Sequence, residues 1–187
     1  MKKSIGALLA IASVAVFSSA SAQVFVIGNG LGAECYESTK QSSVSYNRAN
    51  DTCTRALREE TMTRENRAAT YVNRGVLHMR NGKHAEALSD YNDAIELRPD
   101  LGAAYLNQGA SYIYQRNFMS AIAPLDRAIQ LNSADLFAAY YNRGIARENT
   151  GDVPGAYSDF KKALELKPEW DLAMRQLERF VVTPSNS

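Results

Sequence analysis

Tyr71-Val72-Asn73-Arg74-Gly75 returns as Tyr105-Leu106-Asn107-Gln108-Gly109 and again as Tyr140-Tyr141-Asn142-Arg143-Gly144, at spacings of 34 and 35 residues. Behind each copy, at a constant offset, stands a second signature: Ala87-x3-Tyr91-x2-Ala94, Ala121-x3-Leu125-x2-Ala128 and Ala156-x3-Phe160-x2-Ala163. A period of this length with helical spacing inside it specifies stacked helix pairs, because one pair cannot bury its apolar face alone. Glycine in a helix interior costs about 1 kcal/mol relative to alanine, so Gly75, Gly109 and Gly144 need a packing reason to stand there. Close helix approach supplies one. The expected arrangement has each Gly facing Ala87, Ala121 or Ala156 on the second helix, with Tyr71, Tyr105 and Tyr140 filling the adjacent space. Asn81-Gly82 and Thr150-Gly151-Asp152 carry turn and N-cap chemistry between the helices, and Pro99 and Pro168 stop the second helices.

These residues resemble the tetratricopeptide repeat, a helix-turn-helix unit of 34 residues with large, Gly, Ala, aromatic, Ala and Pro positions in this order. The repeats fall at 68–101, 102–136 and 137–170. The expected fold is an all-α, right-handed α-solenoid, with a helical N-terminal cap over 35–66, a C-terminal capping helix over 171–182 and a disordered tail at 183–187. The middle repeat departs from the pattern at Arg116, where its neighbours have Gly82 and Gly151, at Ser133 in place of the terminal Pro, and at Pro124 inside its second helix. An interior Pro costs about 3 kcal/mol unless a kink absorbs it, so this unit is expected to be bent or looser. Pro154 lies in a first turn and is harmless.

Residues 1–22 have the order of an export signal: Lys2 and Lys3, an apolar stretch from Ile5 to Phe17, then Ala20-Ser21-Ala22 before Gln23. Cleavage after Ala22 and a periplasmic or secreted location are expected, with no membrane span in the processed chain. Removing that segment leaves 19 basic against 20 acidic residues, a balance that argues against nucleic acid as a partner. In an exported chain the two cysteines, Cys35 and Cys53, are expected to pair. The loop between them encloses 17 residues, and its closure is worth about 3 kcal/mol in the chain-entropy model. Ala49-x3-Cys53-x2-Ala56-Leu57 imitates the second helix of a repeat with Cys at the aromatic position.

The segment 23–34 contains Gly28-Asn29-Gly30-Leu31-Gly32-Ala33 after an apolar run, the G-x-G-x-x-A form of a dinucleotide loop, with Asp51 near the place of a ribose-binding acid. A dinucleotide fold also needs a second parallel strand after its helix, and here Lys40 to Asn50 is polar while the chain downstream is helical repeat. The expectation is therefore a flexible Gly-rich segment, and a nucleotide-dependent enzyme built on Gly28–Ala33 stands as the alternative. His78 and His84 have no further His to complete a metal site, the carboxylates are spread along helix exteriors, and no G-x-S-x-G element is present. No cofactor, no metal and no enzymatic activity are expected.

In the family, the first helices line a concave groove. The resemblance places in that groove Asn73, Asn107 and Asn142, the preceding Val72, Leu106 and Tyr141, and Val76, Ala110 and Ile145 three positions on, beside small residues around Ala69, Ala103 and Ala138. A carboxamide both donates and accepts, so an Asn can pair with a peptide N–H and C=O whatever the peptide's side chains. The resemblance thus implies a scaffold that binds an extended peptide or a partner protein. Against this stands the reading that the Asn residues bond within or between helices. The basic clamp with which some relatives hold a terminal carboxylate is absent from these positions. Phe118 and Trp170 are secondary, exposed candidates for contact. A self-associating structural unit is a further alternative.

Overall fold

The computed structural model describes residues 4–7, 21–41 and 43–183, with residues 4–7 and 181–183 described as backbone only. Its helices are α1 (Leu31–Lys40), α2 (Tyr46–Glu59), α3 (Arg64–Arg80), α4 (His84–Leu97), α5 (Gly102–Tyr114), α6 (Phe118–Gln130), α7 (Leu136–Asn149), α8 (Val153–Leu166) and α9 (Asp171–Leu177). The helices pair as α3 with α4, α5 with α6 and α7 with α8, and α5 also touches both α3 and α7, so the first helices form one row. This is an all-α solenoid. Residues 1–3 and 8–20 of the expected signal, and the tail beyond residue 183, lie outside the described residues.

Each pair closes on a turn in the left-handed region. Gly82 and Gly151 take φ of 74° and 91°, and Arg116 takes φ of 58° at the equivalent place in the middle repeat. The same backbone bonds close all three: Lys83 N to His78 O, Asn117 N to Tyr112 O and Asp152 N to Arg147 O, at 2.9, 2.8 and 2.9 Å. The turn geometry is thus the same throughout the molecule even where the residue is wrong for it. The side chains of Asn117 and Asp152 then cap α6 and α8 by accepting from Ser120 N and Gly155 N.

The glycines meet the large residue of the facing helix and not the alanine expected to oppose them. A Cβ on Gly75 would lie 2.5 Å from the Tyr91 ring, one on Gly109 2.5 Å from Leu125, and one on Gly144 2.8 Å from the Phe160 ring. The hole is therefore made by the first helix and the knob by the second. Tyr71 and Tyr140 instead lie beneath the guanidinium groups of Arg74 and Arg143.

Pro124 lies inside α6, which is continuous from Phe118 to Gln130. Two further expectations change. The Gly-rich stretch is not loose: α1 begins at Leu31, so the cap starts earlier than residue 35. The closing helix ends at Leu177, short of 182, and the chain turns into β2 (Phe180–Thr183), which pairs antiparallel with β1 (Ser4–Ala7). Phe180 is the reason. Its buried ring packs on Tyr157 and Phe160, and the β-branched run Val181-Val182-Thr183 beyond it favours strand over helix. A disulfide joins Cys35 to Cys53 and so ties α1 to α2.

Candidate functional site

The row of first helices presents its asparagines on one face, and that face is filled by the chain's own N-terminal segment. Asn107 on α5 accepts from Ala22 N at 2.8 Å and donates to Ala22 O at 2.6 Å. Asn73 on α3 does the same with Val24, at 3.0 and 2.7 Å. One carboxamide thus satisfies both backbone groups of one residue. Two residues apart, Ala22 and Val24 turn the same backbone edge to the helices, as extended chain requires. Both side chains spend these bonds on the N-terminal segment and not within or between the repeat helices. Asn142 occupies the equivalent, fully buried position on α7.

Sequence reasoning missed a further member. Asn66 accepts from Ile27 N at 3.1 Å and donates to Ile27 O at 2.6 Å. It stands seven residues, two helical turns, before Asn73, on an extra N-terminal turn of α3 capped by Thr63. That spacing puts Asn66 and Asn73 on one face and was the available signal. The step from Val24 to Ile27 is odd, so the backbone rolls over between them. Val26 is then buried beside the backbone of Gly32.

The apolar residues expected to line the groove are already covered. Leu106, Tyr141 and Ile145 belong to the main core cluster that also holds Ala22. Val72 packs with Ala68, Ala94 and Ala104, and Val24 lies against them. Val76 and Ala110 are buried, as are Ala69 and Ala138, while Ala103 is partly buried. Trp170 is half-buried against Phe137 and Tyr141, and Phe118 is half-buried on the same core, so neither is the exposed contact expected of it.

The other side of the segment faces α1. Gln23 Nε2 donates to Thr39 O at 2.9 Å, and the Phe25 ring meets Tyr36 edge to face at 5.3 Å. Arg80 Nη1 donates to the same carbonyl at 2.6 Å, fastening α1 to α3. Residues 22–27 therefore run between the concave face and a helix that the disulfide holds down.

The glycine loop does not form a nucleotide site. Residues 24–27 pair with no strand, and the amide of Gly32 at the start of α1 donates to Glu60 Oε2 at 2.8 Å. That carboxylate also lies where a Cβ on Gly30 would stand. An anion of the chain's own occupies the place a phosphate would need. Among the described residues no group of three His, Cys, Asp or Glu could hold a metal ion. His84 stacks on Tyr114, and His78 Nδ1 pairs with the Tyr46 hydroxyl at 3.0 Å.

Two ion clusters bridge the helices of the first and third pairs. Arg74 makes a bidentate pair with Asp90, at 2.9 and 2.6 Å, with His78 Nε2 at 3.6 Å from the same carboxylate. Arg143 pairs in the same way with Asp159, at 2.9 and 2.7 Å, joined by Arg147 at 3.0 Å. Burial pushes the Asp90 carboxyl up from its ordinary value, with Arg74 opposing, and burial holds the His78 ring below its own. The first cluster also lines a cleft with Asn50, Thr54, Glu86 and Ser89.

Family models described as tetratricopeptide repeat match residues 68–101 and 137–170. The chain is similar to the Protein SGT1 homolog of Oryza sativa subsp. japonica, 37% identical over 68 residues, which are 36% of this chain and 18% of that protein. It is similar also to the BBSome complex member BBS4 of Mus musculus, 36% identical over 88 residues, 47% of this chain and 16% of that one. The match thus spans less than a fifth of these relatives. Among solved structures, the first TPR of Spaghetti (RPAP3) bound to the HSP90 peptide SRMEEVD superposes with a TM-score of 0.57 at 26% identity, over 59% of this chain and 87% of that one. The crystal structure of MamA shares the fold, with a TM-score of 0.63 at 19% identity over 82% and 94% of the two chains. Residues 68–101 and 137–170 of this chain, built as helix pairs around a buried Gly-aromatic contact, are tetratricopeptide repeats.

Proposed function

We propose that the chain is an exported, non-enzymatic scaffold that binds an extended peptide, or an extended segment of a partner protein, on the concave face of its repeats. One observation carries this reading: Asn73 and Asn107 each hold both backbone groups of a residue in extended chain, a mode of binding indifferent to side chains. A tetratricopeptide unit of similar build has been solved with a peptide bound. The ordered charged, apolar and small-residue regions of residues 1–22 support export. The disulfide suits an oxidising compartment. Partners are protein; the near-neutral charge does not favour nucleic acid.

The test takes a partner identified by cross-linking in the native host and measures its affinity for the Asn73→Ala/Asn107→Ala/Asn142→Ala variant. Each lost set of hydrogen bonds costs about 1 kcal/mol, so affinity is expected to fall by roughly two decades while the helical circular dichroism persists. Unchanged affinity would place the binding surface elsewhere. For export, the intact mass of protein from the host is expected to correspond to a chain beginning at Gln23; a chain beginning at Met1 in the cytosol overturns it.

A second reading has its own support. Residues 22–27 would make the same bonds if supplied by a neighbouring copy, which makes self-association a defined alternative. Concentration-dependent mass in light scattering is its signature.

A further inference from the structure

The groove's occupant reports what the groove accepts. At Ala22 and Val24 the contacts with Asn107 and Asn73 are all to backbone, so selection there comes from space. The Ala22 side chain is 2% exposed within the cluster of Leu106, Tyr141 and Ile145, which leaves no room for a larger one. Two residues on, Val24 lies half-buried on Ala68, Val72 and Ala104, a wider seat that suits a β-branched side chain. The alternate residues face away: Gln23 bonds α1, and Phe25 stands 64% exposed against Tyr36. The seat therefore selects a small residue and, two positions later, one the size of Val.

The occupant is also covalently attached. Residues 28–30 alone separate it from α1, so it faces the groove at the high effective concentration of a short tether, which a free peptide must overcome. Ala22 is moreover the residue after which cleavage is expected. Loss of residues 1–22 would take away the backbone that pairs with Asn107 and leave Val24 on Asn73.

We propose that residues 22–27 are a built-in competitor that keeps the concave face closed until cleavage after Ala22 frees Asn107, and that the partner is an extended peptide with a small residue followed two positions later by a Val-sized one, which takes the Asn107 seat and displaces the remaining Val24 from Asn73. The proposal rests on the peptide-binding reading above and adds the partner's pattern and the regulation of its access.

The experiment uses the full chain and, as probe, a fluorescein-labelled synthetic peptide with the sequence of Ser21–Ile27, monitored by anisotropy. Val24→Pro removes the N–H that Asn73 accepts and unseats the segment in cis. The variant is expected to bind the probe about tenfold more tightly than the native chain, and to gain a protease cut within 22–27. Asn73→Ala added to it should abolish the gain, and a probe with Trp in place of its Ala should not bind. Ala22→Trp is a second, independent way to unseat the segment should Val24→Pro fold poorly, and it should produce the same gain.

Equal binding by the native chain and both variants overturns the competitor role while leaving peptide binding intact. No binding by any of them, with residues 22–27 newly cleaved in the variants, overturns the peptide-binding reading itself. A dimer whose segment is protected only at high concentration overturns the cis arrangement in favour of exchange between copies.

Discussion

The first and third repeats hold their helix pairs together with a buried ion cluster, and the middle repeat does not. Arg74 and Asp90 in the first, and Arg143 and Asp159 in the third, occupy equivalent positions; in the second these become Gln108 and Pro124. Both partners change together. A carboxylate with 4% of its side chain exposed is tolerated only with a guanidinium in bidentate contact, so losing one member makes the other a liability. Gln108 turns instead to Asn92 of the preceding repeat, at 2.8 Å, and Asp126 of the middle repeat pairs with Arg143 of the next one at 2.7 Å. The inner unit leans on its neighbours; the outer units carry their own fastenings. This suits a solenoid, in which an inner repeat has two interfaces and an end repeat has fewer. The groove-facing Asn is the same in all three.

The largest test of the comparison removes the guanidinium. Arg74→Ala leaves Asp90 buried with only His78 nearby and is expected to cost about 3 kcal/mol in urea unfolding. Arg143→Ala should cost less, about 2 kcal/mol, because Arg147 stays on Asp159. Gln108→Ala should cost about 0.5 kcal/mol, as a partly exposed neutral bond does. A loss at Gln108 equal to that at Arg74 would end the distinction between inner and outer repeats.

A smaller effect is expected at the turns. Gly151→Ala places a side chain at φ of 91° and should destabilise by about 1 kcal/mol, although no atom stands within 4 Å of the new Cβ. Arg116→Gly relieves the same strain in the middle repeat and should stabilise by about 0.5 kcal/mol. Melting temperatures moving in opposite directions confirm that the turn shape is imposed by the repeat and not chosen by its residue.

The smallest effect separates the first repeat from the third by pH. The position of His78 in the first repeat is held by Arg147 in the third. Burial keeps the His78 ring below its ordinary 6.5, so the unfolded chain takes up a proton first as the pH falls. The stability that depends on neutral His78 is complete above about pH 6.5 and is lost as the pH falls through the lower, folded value. Asp90, raised by burial, works in the opposite sense but only in the more acidic window above its ordinary 3.8. The melting temperature should therefore fall between about pH 7.5 and about pH 5.5, and the fall should be smaller in His78→Arg. An equal slope in both would mean that His78 does not govern it.

Much of this molecule was legible from the residues themselves. The 34- and 35-residue spacing predicts stacked pairs because equivalent positions must land on equivalent faces, and the three Asn residues share a face for that reason. The helix ends near Pro99 and the turn glycines are local chemistry. The Cys35–Cys53 pairing, inferred from number and compartment, is present in the structure. Other features were decided only by tertiary packing. That Gly75 meets Tyr91 and not Ala87 depends on how two helices are rotated against each other, which the period of either one does not determine. That Asn73 and Asn107 hold Val24 and Ala22 joins positions 49 and 85 residues apart, and hydrogen bonds to a backbone leave no mark in the sequence of the strand they hold. That Glu60 closes the glycine loop, and Phe180 ends the last helix, depends on which buried space lay within reach of each side chain. Periodicity determined the architecture, since every repeat reports it again; the occupant of the groove is set by a few long-range contacts that no repeat reports, and only the folded chain could select it.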